Sequence, residues 1–118
     1  MSESPIFVRT YDFIQWLIPC TISFPRNQRF ILTKRLQDHA LDFYEALIDA
    51  AMSYGAQQRA HLQAADARLV KVRKYLRLAR DLDWMSAQQY QHAAAQVTEI
   101  GNLLGGWRNP KAKSTPGA

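Results

Sequence analysis

Between residues 58 and 82, Leu62, Ala65, Leu69, Val72, Leu76 and Ala79 recur at alternating steps of three and four. That period belongs to an α-helix burying one narrow edge. Arg73, Arg77 and Arg80 flank the edge together, Arg59 projects in a similar direction, and Lys71 and Lys74 point further round. Three other segments read as helices. Residues 7–23 form the first, and Pro19 inside it predicts a kink or break, because proline removes a backbone donor and clashes with the preceding turn. Phe24-Pro25-Arg26-Asn27 then reads as a connection, with Asn27 a candidate cap. Residues 28–54 contain neither glycine nor proline, and at ~1.5 Å per residue would make a helix roughly 40 Å long. Phe30, Leu41, Tyr44, Leu47, Ile48 and Ala51 fall on one broad side of it, and Asp38, Asp42, Glu45 and Asp49 on another. Gly55 suits the left-handed C-terminal cap that would end it.

Ser86, with Gln89 three residues on, is a capping box that opens the fourth helix. Tyr90, Ala94, Val97, Gly101 and Leu104 share a face there, and Asn109-Pro110 closes it. Gly101 and Gly105 would let another backbone approach closely, which offsets their poor helix propensity if something packs on them. Four amphipathic segments with short connections predict an all-α, antiparallel four-helix bundle over residues 1–109. Residues 110–118, ending KAKSTPGA, read as a flexible basic tail.

The bulk properties agree with one domain. The chain has 118 residues, 47% apolar and 21% charged, enough for a single core. A lone cysteine, Cys20, rules out an intrachain disulfide and suits a reducing cytosol. The start MSESPIFVRTYDF carries early acids and no small-residue cleavage site, so no signal peptide is read. The apolar stretch over residues 13–24 is broken by Gln15, Pro19, Cys20, Thr21 and Ser23, far short of a membrane span. A cytoplasmic protein without a membrane partner is expected.

Enzyme chemistry finds little support. A carboxylate-bridged metal site in a bundle needs Glu-x-x-His pairs, but Glu45 is followed by Ile48 and Glu99 by Asn102. His39, His61 and His92 lack ligand spacing. Cys20 stands beside Pro19 in an apolar stretch, the setting of a small buried hydrophobe rather than a nucleophile. Gly105-Gly106 lacks the lysine of a phosphate loop. No catalytic residue and no cofactor are expected.

Charge changes the picture. The net charge is +5, and Arg68, Lys71, Arg73, Lys74, Arg77 and Arg80 crowd one stretch with no acid among them. Such density suits a polyanion, with a solvated helix face as the plainer alternative. Trp16, Trp84, Trp107, Tyr11, Phe30, Tyr44 and Tyr90 at helical spacing read as core or interface rather than base-stacking groups. Tyr75, inside the basic stretch, stands apart. The acidic stripe on the second helix could face basic residues of a neighbouring subunit and set their register.

Three stretches together carry a resemblance: FPRNQRF (24–30), ADARLVKVRKYLRLARDL (65–82) and EIGNLLGGW (99–107). In that order they resemble the accessory variability determinant of diversity-generating retroelements. The related four-helix proteins encoded in ribosomal RNA intervening sequences share the architecture. The resemblance implies a ring-like homopentamer with a basic outer surface and, as partner, the retroelement's reverse transcriptase. It also implies a role in copying template RNA into mutagenised cDNA. The family's functional basic pair falls on Arg73 and Arg77. Arg80, Lys74 and Arg68 extend the patch, and Lys71, Arg26 and Arg29 complete the candidate set. Arg59, Lys111 and Lys113 lie where the resemblance is thin. The implied mechanism is guanidinium binding of RNA or DNA phosphates, strongly salt-dependent and weakly sequence-dependent, multiplied by avidity in an oligomer. The competing reading is a pure interaction module that docks the reverse transcriptase or another protein and meets nucleic acid only incidentally.

Overall fold

Helix α1 spans Pro5–Ile22, α2 Lys34–Ala51, α3 Gly55–Asp81 and α4 Ala87–Arg108. The computed structural model describes residues 4–110, apart from the side chains of residues 28–30. The side chains of Arg29 and Phe30, the tail residues Lys111 and Lys113, and any flexibility of residues 111–118 therefore lie outside the described residues.

Contacts between the ends of the helices fix the topology. Arg9 early in α1 reaches Glu99 late in α4, while Trp16 late in α1 meets His92 early in α4. Phe7 packs on Tyr44, and Gln37 donates to the Thr21 hydroxyl, so α1 and α2 run oppositely. His39 against Tyr75, with Ala50 near Gln58, sets α2 antiparallel to α3. Arg80 over Tyr90, with Asp66 beside Arg108, does the same for α3 and α4. The result is an up-down-up-down four-helix bundle with no strand among the described residues. Its extents are 44 × 30 × 27 Å, and the long axis is about the length of α3 at ~1.5 Å per residue.

The seam expected on α3 is the buried set of that helix: Leu62, Ala65, Leu69, Val72, Leu76 and Ala79. On α2 the expected side is only partly right, with Leu47 fully buried and Tyr44 half-buried. The core takes Leu36, Ala40, Phe43, Leu47 and Ala50, while Leu41, Ile48 and Ala51 are exposed. Apolar residues run most of the way round α2, so periodicity alone misjudged which arc faces inward. On α4 the core residues are Ala93, Val97, Ile100 and Leu104. Tyr90, Ala94 and Gly101 are half-buried along one flank.

Several boundaries differ from expectation. Pro19 does not end α1, which runs on to Ile22; so near the C-terminus a proline deprives the helix of a single donor. Asn27 caps no α-helix. Residues Arg26–Gln28 form a 3-10 turn and Arg29–Thr33 a π-helical segment before α2. α2 also ends at Ala51, short of Gly55. Side chains take carbonyls of its last turn and of the turn that follows: Gln58 Nε2 donates to the Ala50 carbonyl at 2.9 Å and to that of Ser53, beyond the helix, at 3.0 Å, and Ser53 Oγ donates to the Asp49 carbonyl at 2.8 Å. Gly55 does take the left-handed conformation, φ +64°, but at the opening of α3. The capping box forms as read, with Gln89 N to Ser86 Oγ at 3.0 Å and Ser86 N to Gln89 Oε1 at 2.9 Å.

The end of α3 is a Schellman motif. Trp84 N donates to Ala79 O at 2.9 Å, and Asp83 N to Arg80 O at 3.0 Å. Asp83 holds the left-handed position, φ +62°, where glycine is usual.

Candidate nucleic-acid interface

The helical period distributes the basic stretch of α3 over different sides, so it is not one patch. Arg73, Arg77 and Arg80 line the edge against α4. Lys71 and Lys74 are exposed further round α3. Arg68 belongs to the edge against α2, where its Nη1 lies 3.3 Å from His39 Nδ1 and 3.5 Å from Asp42 Oδ2. Tyr75, within the basic stretch, stacks on His39 at 5.5 Å and is half-buried. Asp42 thus meets its basic partner within the chain. Asp38 does likewise through Lys34 at 2.6 Å, whereas the carboxylates of Glu45 and Asp49 pair with nothing among the described residues.

Arg26 sits in the 3-10 turn. Phe24, two residues earlier, packs on Trp84 in the α3–α4 connection. Arg26 is therefore at the end of the bundle where Arg80 lies.

Along the α3–α4 groove the three arginines differ in their partners. Arg80 stands over the Tyr90 ring, 5.3 Å from its centroid, a favourable cation–π geometry. Arg77 Nε is 3.4 Å from Asp81 Oδ2, and Arg80 Nη1 is 3.7 Å from Asp81 Oδ1. Both pairs are solvent-exposed, where an ion pair contributes little and yields readily to a phosphate. Arg73 has no carboxylate partner among the described residues. Its guanidinium lies against Gly101, in the space a β-carbon would occupy. So Gly101 does permit a close approach, but of a side chain rather than a backbone; a β-carbon on Gly105 would meet nothing within 4 Å among the described residues.

Two depressions open along this groove. One, about 380 Å³, is walled by Arg77, Arg80, Ala87, Tyr90 and Gln91. The other, about 200 Å³, lies among Arg73, Leu76, Tyr90, Ala94, Val97 and Thr98. Tyr90 belongs to both. Planar guanidinium groups in a row offer forked donors matched to phosphate oxygens.

The sequence as a whole matches the bAvd-like family over residues 6–110. The chain belongs to that family. The match bears out the resemblance to the accessory variability determinant; it says nothing of the ribosomal intervening-sequence proteins. No curated relative matches the chain. The matched span takes in all four helices and so the whole α3–α4 groove.

Other chemistry is placed as follows. Burial pushes the half-buried Cys20 thiol up, leaving less thiolate than a free cysteine. Among the described residues no three His, Cys, Asp or Glu side chains are set to share a metal ion. No helix among them is long and apolar enough to cross a membrane. Trp16, Trp84, Trp107, Tyr44 and Tyr90 are half-buried, and Tyr11 is exposed. Tyr90, Gln91 and Thr98 were not among the expected site residues. The sequence placed Tyr90 on a shared face of α4 with Ala94, Val97 and Gly101, but gave no signal for Gln91 or Thr98 and none for which side of α3 that face meets.

Proposed function

We propose that this protein is a non-catalytic accessory factor of a diversity-generating retroelement. It binds template RNA or its cDNA together with the cognate reverse transcriptase, in the cytoplasm, without a cofactor. The observation that carries this reading is the row of Arg73, Arg77 and Arg80 along the α3–α4 groove, in a chain of the bAvd-like family. Arg73 and Arg77 provide the central phosphate contacts and Arg80 extends them toward the end of the bundle. Lys71 and Lys74 add longer-range attraction. Arg68, held by His39 and Asp42, contributes least.

A homopentamer is part of the proposal. Leu41 and Ile48 on α2 and Met52 at its C-cap are exposed apolar residues on one side of the helix, with the exposed Glu45 among them, and Met52 is 81% exposed. A second subunit covering that side would remove them from water and leave the α3–α4 groove on the outside. Exposed apolar side chains grouped on one side of a helix are a common feature of such contacts.

The test is fluorescence anisotropy with a structured RNA and a duplex DNA across a salt series, beside the Arg73→Ala/Arg77→Ala variant. Salt-sensitive binding lost in the variant supports the reading. Binding indifferent to the substitutions, with salt-resistant capture of the reverse transcriptase, would instead make the protein a docking module.

A further inference from the structure

The groove is more than a charged edge. Its larger depression is predominantly polar, with Arg77, Arg80 and Gln91 around it. The smaller one is walled by the half-buried Tyr90 and Ala94, with the exposed Thr98 at its rim and the core residues Leu76 and Val97 buried beneath it. Tyr90 divides the two. A surface built only for duplex backbone needs cations at phosphate spacing and has no use for an aromatic ring or an apolar recess. Strands with unpaired bases use both, because every base offers a π-face to stack and an edge to hydrogen-bond.

We infer that the α3–α4 groove is a site for an unpaired nucleotide, its base against Tyr90 in the recess beside Ala94 and its phosphate held by Arg77 and Arg80. This rests on the nucleic-acid reading above and narrows it to single-stranded segments. Arg80 already covers part of Tyr90, so a planar cation is in place beside the ring that receives the base. Arg73, lying against Gly101 at the far side of the recess, meets the next phosphate along the strand. Thr98 offers a hydroxyl to the base edge, which gives little discrimination between bases.

The experiment compares a short unstructured RNA, its duplex, and the same single strand carrying an abasic stretch. Each is titrated against the wild-type protein and against Tyr90→Leu, Tyr90→Phe and Arg73→Ala/Arg77→Ala. The single strand should bind more tightly than the duplex. Tyr90→Leu should lower that affinity by roughly fivefold or more, the scale of one lost base stack. It should leave the duplex and abasic affinities and the salt slope unchanged, and Tyr90→Phe should retain binding. Equal losses on all three ligands, or none on the single strand, would overturn the inference while the arginine variant still tested the broader reading. If the wild type binds no nucleic acid at all, both readings fail together. Should Tyr90→Leu not fold, photocrosslinking of 4-thiouridine RNA to the wild type decides: adducts on Tyr90 or its immediate neighbours support the site, and adducts confined to other helices overturn it.

Discussion

The guanidinium of Arg73 occupies the space beside Gly101 where a β-carbon would stand. Gly101 thus trades helix propensity for the position of a cation. Gly101→Ala should raise helix stability by up to about 1 kcal/mol, because only the flexible end of Arg73 must move. It should also displace Arg73 and weaken nucleic-acid binding severalfold. Thermal unfolding and anisotropy on the same preparation check both; a large loss of stability would show that Arg73 has nowhere else to go.

Asp83 holds a left-handed backbone at the end of α3. A non-glycine residue there carries a steric cost that glycine lacks. Asp83→Gly should therefore stabilise the fold by about 0.5–1 kcal/mol, read as a higher urea midpoint with an unchanged slope.

Removing the Ser86 hydroxyl breaks the capping box of α4. Ser86→Ala should cost about 0.5–2 kcal/mol, visible in urea unfolding and as faster hydrogen exchange at the Gln89 amide.

Leu47 is fully buried at the centre of α2. Leu47→Ala should cost about 2–5 kcal/mol through lost burial and the cavity left behind. A smaller loss would mean that the bundle closes around the gap.

His39 titrates below its ordinary value of 6.5, first because burial penalises the imidazolium, then because Arg68 and Lys71 stand near; Asp42 and Asp38 oppose them. The unfolded chain therefore binds this proton more readily than the native one. Its stabilising contribution is full above pH 6.5 and is lost as the pH falls through the lowered native value. Thermal unfolding of wild type and His39→Gln between pH 5 and 8, the range in which histidine titrates, should show a shallower decline on the acid side in the variant.

Two substitutions test the assembly. Leu41→Asp with Ile48→Asp places charge on the exposed side of α2 without entering the core. Light scattering should show the mass of the assembly falling while helix content is kept; an unchanged mass would leave that side outside any subunit contact.

Some of this molecule is local and hence readable along the chain. The α3 seam is dictated by a period of three and four, and the capping box by two side chains three residues apart; neither needs a distant partner. Which arc of α2 turns inward is different. Leu41 and Ile48 are as apolar as Leu36 and Leu47, and only the placement of α1 and α3 against α2 decides which pair is buried. The end of α2 was illegible for a related reason, since Gln58 takes the Ala50 carbonyl from across a turn, whereas the end of α3 falls where the apolar period stops, although Asp83 rather than a glycine holds its left-handed position. The candidate site divides in the same way. Sequence placed Arg73, Arg77 and Arg80 on one side of a helix. Tertiary packing brought Tyr90, Thr98 and Gly101 of α4 up to them and drew Arg68 away to His39 and Asp42, because a helix fixes only which residues share a face, and the neighbouring helix determines what that face meets.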